Sequence, residues 1–278
     1  MRHYFLLPTH YSFSKYFSIA TISWQNGFVY RLNFIMWRVR NVIQLLTIYF
    51  LWLAISSGQD QIFSYTQSTI LTYVLGSSLI RSVVLSSRSI DAQGEIASGD
   101  LNNHLVKPFN YLLNWVARDF SDKLLNILFA TAELTILYFI LQPPIFIQTN
   151  FAHLTLFIVS VILAATLYFI FSFIISMSTF WYYEGGGWAQ RFLSFVLIES
   201  LAGALFPLDI LPPLFAKLVL LLPTAYFIYY PMQIYLGRTD PTQTFAGFAI
   251  LIFWIILLYK ISQSLWHKGL KIYGAFGR

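Results

Sequence analysis

The sequence predicts an all-α integral membrane protein, and two observations carry that prediction. Hydrophobic side chains make up 58% of the 278 residues and charged ones only 10%, a balance that leaves too little polar surface to keep a chain dispersed in water. The apolar residues also fall in runs close to the roughly 20 residues a helix needs to cross a bilayer. These runs are Asn41–Ser57, Ile62–Ile80, Leu124–Leu141, Leu154–Tyr183, Phe192–Phe206, Pro212–Tyr235 and Thr242–Tyr259. One polar stretch, Ser86–Tyr111, interrupts them and is too short to form a core of its own. The chain therefore reads as a single transmembrane domain over residues 1–278.

Ahead of the first run, Tyr11–Tyr30 mixes Ser, Thr, Gln and Lys15 with Phe13, Tyr16, Phe17, Ile19, Ile22 and Trp24. Spacings of three and four recur among the apolar positions, which predicts a helix over about 10–30 lying in the membrane interface, with an ordinary flexible leader as the alternative. The opening segment contains Pro8, His10 and Lys15 and has no small-residue cleavage site, so it does not read as a secretory signal.

Lysine and arginine favour cytoplasmic loops, so they set the topology. Arg2, Lys15, Arg31, Arg38 and Arg40 precede the first run, and Lys260, Lys268, Lys271 and Arg278 follow the last. Both termini are placed in the cytoplasm, and the number of crossings is even. The stretches 57–61 and 142–153 carry no Lys or Arg and are placed outside. The Ser86–Tyr111 stretch, with Arg81, Arg88, Lys107, Arg118 and Lys123 in or beside it, is placed inside, as is 182–191. Seven runs must then yield six crossings. The misfit is the segment 206–231, where Pro207, Pro212, Pro213, Pro223 and Pro231 interrupt helical hydrogen bonding. Irregular backbone at membrane depth survives only under cover of protein or water. This segment therefore reads as a re-entrant helical hairpin on the outer side, before span six.

Several chemistries are excluded. There are no cysteines, hence no disulfides, thiol chemistry or cysteine-ligated metals. The five histidines show no ligand spacing, so no metal site is expected, and no cofactor motif is present. The Gly185–Gly186–Gly187 triplet lacks the lysine of a phosphate loop and reads as a turn. No nucleophile elbow is found. The net charge of +6 is spread over the ends of apolar runs, which does not match a nucleic-acid surface. No catalytic residue is expected.

Two acids fall inside predicted spans, Glu133 in the third and Glu199 in the fifth. Charges at that depth are costly and face the bundle interior or water. Each reads either as a proton or cation site or as a structural carboxyl bonded to a neighbouring helix. The breaks cluster at one end of one span, and no internal repeat is visible, unlike the usual layout of an ion-coupled path.

Within the polar stretch, Ser89–Ser98 predicts a short helix with Asp91 and Glu95 one turn apart on one face, closed by Gly99 as a left-handed cap. Asp100 is expected to cap a second turn over Leu101–Val106, and Pro108 to end it. Ala97, Leu101 and Leu105 recur every four residues and would offer a partner an apolar side; a solvated loop would account for the same residues.

At these residues the chain resembles the permease subunits of bacterial ABC transporters of the type-two, exporter-like class. More narrowly, it resembles six-span permeases usually encoded as a pair beside an ATPase. The resemblance rests on Tyr30-Arg31 and Trp37-Arg38 before span one; on Ile96-Ala97-Ser98-Gly99-Asp100-Leu101 followed by Leu105-Val106-Lys107-Pro108; on Phe206-Pro207-Leu208 followed by Leu211-Pro212; and on Leu222-Pro223, Tyr230-Pro231 and Tyr235-Leu236-Gly237.

The resemblance implies a subunit of the bacterial inner membrane with no nucleotide site. It implies a permease dimer, of like or unlike chains, served by cytoplasmic ATP-binding subunits, with the helix between spans two and three as the coupling helix. Asp91, Glu95, Gly99, Leu101, Leu105 and Lys107 would then form the ATPase contact, and Pro207, Pro212, Pro223 and Pro231 would shape an outer gate. Export of an amphipathic or lipid-like substrate is the function so implied. An ion-coupled secondary transporter using Glu133 or Glu199 and a non-transporting membrane scaffold are the alternatives.

Overall fold

Helix is the only regular structure among the described residues, apart from one isolated antiparallel bridge between Ile62 and Tyr65. The structure, a computed structural model, describes residues 13–29, 31–107, 110–182 and 196–274. The Gly185–Gly187 turn, Tyr30, Pro108 and the first four residues of the Phe192–Phe206 run lie outside them.

Helix α1 (Phe13–Val29) covers the predicted interfacial segment. It packs along the longest helix of the central part, α6 (Tyr111–Leu141), and the Tyr16 hydroxyl accepts from the Asn110 amide just before α6. Helices α2 (Arg31–Ser56) and α3 (Gln67–Val84) follow, then the polar stretch described below, then α6 and α7 (Phe151–Met177). The chain is again described from a helical piece α8 over 196–201. Then come α9 (Pro213–Leu220), α10 (Tyr229–Tyr235) and α11 (Pro241–Ile272).

Helices α3, α6, α7 and α11 each begin where a short polar side chain can satisfy free amides. Thr66 accepts from the Thr69 amide, Asn110 from Leu113 and Asn150 from Ala152, while Asp240 and Gln243 form a reciprocal capping box.

Among the described residues, four helices are long and apolar enough to cross a membrane: residues 35–56, 111–141, 151–180 and 241–272. The count rises to six if each of two bent pairs is one span. One pair is α3 with the segment 88–98, bent by 42°; the other is α9 with 223–235, bent by 78°. The helices run further than the apolar runs did. Helix α2 takes in Arg38 and Arg40, expected ahead of the first span, and α6 takes in Arg118 and Lys123, expected in or beside the polar stretch. Hydrogen-bonded backbone continues past the last apolar residue wherever the side chains find partners, so hydropathy marks the hydrocarbon and not the helix.

Helix α7 lies at the centre, with α3, α10 and α11 against it and Ala164, Leu167, Phe173 and Met177 almost fully buried. At one end of the bundle Trp266 stacks on Tyr111, centroids 5.0 Å apart, and packs against Phe173 and Phe180. Gly269 permits that cluster, because a Cβ there would sit 2.3 Å from the Phe180 ring. The outward faces are greasy: Phe139, Ile140 and Phe245 are about 70% exposed. A surface of that kind fits lipid and not water.

Candidate functional site

The polar stretch is built from three short turns. A 3-10 turn spans Arg88–Asp91, α4 spans Ala92–Ser98, and α5 spans Leu101–Leu105. Gly99 joins the last two at φ +85°, the left-handed conformation expected of it. Asp100 precedes α5 but its carboxylate makes no cap hydrogen bond. It accepts instead from the Ser98 hydroxyl at 2.7 Å.

This stretch is bonded firmly to the helices beside it. Asp119 of α6, 5% exposed, accepts through one oxygen from the Ser87 hydroxyl (2.7 Å) and the Arg88 amide (2.8 Å), while Lys123 lies 3.2 Å from the other. Arg88 reaches Asp122 at 2.9 Å. The Ser89 hydroxyl, fully buried, donates to the Phe169 carbonyl of α7 at 3.0 Å and lies against the Ser172 hydroxyl.

Glu95 is the second anchor. It accepts from the Tyr111 hydroxyl (2.9 Å) and from Arg118 (2.8 Å), both on α6, with His104 Nε2 at 3.3 Å. Burial lowers the His104 pKa below its ordinary value, and Arg118 and Lys107 lower it further, while Glu95 acts against them.

The residues expected to meet a partner therefore divide. Leu101 is fully buried in the chain's own core, Leu105 is half-buried and Glu95 is engaged with α6. Asp91 stays partly open beside Arg88, and Lys107 is exposed. The outward surface is drawn by Gly94, Ala97, Asp100, Asn103 and Lys107, with Val106 82% exposed. The four-residue apolar spacing is real, but Ala97 points out, Leu101 points in, and the side they were expected to share does not exist.

Glu133 and Glu199 lie on different helices and are not brought together. Each holds an arginine of another helix. Arg38 of α2 donates to Glu133 through Nε (2.6 Å) and Nη2, and also to Asn126. Arg81 of α3 donates to Glu199 at 2.6 Å, and Gln44 of α2 donates to its other oxygen at 3.1 Å. Neither arginine was legible as a partner in the sequence. An isolated cation at the end of an apolar run looks like a loop marker until the helix is seen to continue through it.

At the opposite end, the prolines expected to shape a gate fall at different places in the segment. Pro207 opens a 3-10 turn over Leu208–Ile210, Pro212 and Pro213 start α9, Pro223 starts a second 3-10 turn, and Pro231 lies buried in α10. The Leu221 carbonyl accepts from Trp254 Nε1 at 3.2 Å. Trp254 is about 20 Å along α11 from its start. The segment's two ends return to the level where α11 begins. Asp209 bonds Tyr65 and Arg238, and the Tyr235 carbonyl accepts from Gln148 in the loop between α6 and α7.

Between α3, α6 and α7 there is an apolar groove of about 540 Å³, lined by Val83, Phe120, Ile127, Phe157 and Ile162, with the Asp119–Lys123 pair at one end. Among the described residues no group of three or more His, Cys, Asp or Glu side chains could hold a metal.

No curated protein matches this chain. A family model described as "ABC-2 family transporter protein" matches residues 42–277.

Proposed function

The chain belongs to the ABC-2 transporter family, and on that premise we propose that it is the permease subunit of an ATP-driven exporter, moved by a separate cytoplasmic ATPase docked on residues 88–107. It is a multi-pass membrane protein of a transport family, and the family's membrane component is not itself a hydrolase.

The observation that carries the proposal is the pairing of an exposed polar surface with a rigid base in one short segment. Asn103, Val106 and Lys107 face outward, while Ser87, Ser89 and Glu95 are hydrogen-bonded into α6 and α7. A partner pressing on the first set would move the second set with it. Asp91, Gly99 and Lys107 remain contact residues in this reading; Glu95, Leu101 and Leu105 shape the contact from beneath.

The topology follows from charge. The cations Arg88, Lys107, Arg118, Lys268 and Lys271 lie in or near the end that carries α4 and α5, which supports reading that end, and with it both termini, as cytoplasmic. The return of 209–235 to one level, with Leu221 partway down α11, supports a re-entrant hairpin on the outer side, six crossings in all, and a gate shaped by Pro207, Pro212, Pro223 and Pro231. The partner permease is a second copy or a related chain, and the apolar groove suits an amphipathic or lipid-like cargo. The arginines on Glu133 and Glu199 favour a structural role for both carboxylates over ion coupling.

Co-expression with any ATP-binding subunit encoded beside the gene, followed by affinity purification, tests the proposal. A complex with nucleotide-dependent ATPase activity, and none from the chain alone, is expected. Failure of any ATP-binding subunit to co-purify would overturn it.

A further inference from the structure

The end of the bundle remote from α4 is closed by one small network. The Tyr65 hydroxyl donates to both carboxylate oxygens of Asp209 at 3.0 Å and accepts from Gln233 Nε2 at 2.7 Å. The Arg238 guanidinium stacks over the Tyr65 ring at 3.7 Å, donates to the Ser64 carbonyl at 2.7 Å and reaches Asp209 at 3.3 Å. Three chain segments, 62–65, 208–210 and 233–238, thus meet on a single phenol that is 1% exposed. Burial, with Asp209 beside it, raises the Tyr65 pKa well above the usual tyrosine range, so the hydroxyl keeps the proton it donates.

Two features make this contact reversible. Arg238 and Asp209 are 26% and 31% exposed, so water competes for their charges and the pair holds weakly. The loop that presents Tyr65 is also strained. Phe63 and Ser64 both take positive φ, 50° and 66°, in a two-residue turn that normally uses Asn-Gly. Non-glycine residues persist in that region only where their surroundings hold them, and such outliers mark clamps and switches. Here the hold is Arg238 on the Ser64 carbonyl.

We propose that Tyr65 and Arg238 are the stopper and bolt of a latch that closes this end of the bundle, and that 62–65 and 208–210 part when it opens. Beneath Tyr65 lies Tyr73, edge-on at 6.4 Å and hydrogen-bonded to the Gly203 carbonyl at 2.6 Å, and one turn further Ser77, 1% exposed. Opening admits solvent along that line. The latch rests on these contacts alone; that the end faces outward rests on the topology proposed above.

The absence of cysteine allows a direct test with a membrane-impermeant thiol reagent. Ser77→Cys reports on the latched end, Ser176→Cys (buried in α7 near its far end) on general loosening, and exposed Gln59→Cys on sidedness. In the otherwise unchanged chain, only Gln59→Cys reacts quickly. Adding Arg238→Gln or Tyr65→Phe raises labelling at Ser77→Cys about tenfold, as expected when an opening equilibrium loses one charge-assisted contact, and leaves Ser176→Cys unchanged. Equal rises at both reporters, or none at Ser77→Cys in either variant, overturn the latch. Tyr65→Phe, which keeps the ring, serves if Arg238→Gln does not fold. If Gln59→Cys labels in detergent but not on intact cells, the topology fails and the detergent rates still decide the latch.

Discussion

Arg38 on α2 and Glu133 on α6 face each other as a two-bond fork, Nε to Oε1 at 2.6 Å and Nη2 to Oε2, with the arginine 6% exposed. The fork fastens the first long helix to the helix that carries both anchors of the coupling segment, Glu95's partners and Asp119. A buried pair of this kind is costly to break from one side, because the remaining charge has nowhere to go. Glu133→Gln or Arg38→Ala is expected to cost about 3–5 kcal/mol, read as a fall in unfolding midpoint in detergent. Arg38→Met with Glu133→Leu together is expected to recover most of that. A Glu133→Gln chain as stable as the parent would show that the pair holds nothing.

Glu199 separates charge from hydrogen bonding, since one oxygen takes Arg81 and the other Gln44. Removing the neutral partner leaves a satisfied ion pair, and Gln44→Leu is expected to cost about 1 kcal/mol. Arg81→Ala strands a carboxylate that is 14% exposed and is expected to cost several-fold more. The ranking can be checked by limited proteolysis at increasing temperature. Equal sensitivity of the two variants would remove the argument that Glu199 is present for Arg81.

Docking and folding can be separated along the same short segment. Val106→Asp with Lys107→Glu alters two exposed residues and is expected to abolish co-purification of an ATPase while leaving the melting temperature within a degree or two, as surface changes do. Leu101→Asp buries a charge where the side chain has no exposure, and is expected to unfold the segment outright. An ATPase that still binds the Val106/Lys107 double variant would place the contact elsewhere.

How much of this was legible in the sequence depends on how far apart the partners lie. The four helices among the described residues that are long and apolar enough to cross a membrane are local facts, since each overlaps one of the apolar runs. So are the left-handed turn at Gly99 and the proline-driven bend after Pro213, because each depends on one residue's own backbone. Spacing could put Asp91 and Glu95 on one helical face but could not say which face turns inward. That was decided by Tyr111 and Arg118, 16 and 23 positions beyond Glu95. Arg38 meets its acid 95 positions away and Arg81 118 away. Nothing at either arginine marks so distant a partner, and the same cations serve equally well as loop markers.

His104 links the coupling segment to pH, and the sign follows from its surroundings. In the unfolded segment its imidazole titrates near 6.5. In the fold, burial lowers that value, and Arg118 and Lys107 lower it further, against the upward pulls of Glu95 at 3.3 Å and of Asp100. Below pH 6.5, down to the lower folded value, the unfolded form binds more protons, so stability rises with pH and is lost on acidification. Amide hydrogen exchange over 92–106 reads this locally. Protection factors, corrected for the intrinsic dependence of exchange on pH, are expected to fall between pH 7.5 and pH 5, with α11 unchanged. His104→Gln should flatten the profile while leaving Glu95 bonded to Tyr111 and Arg118. If protection instead grows on acidification, the Glu95–imidazolium attraction outweighs burial, and His104 tightens this segment in acid where the present geometry has it loosen.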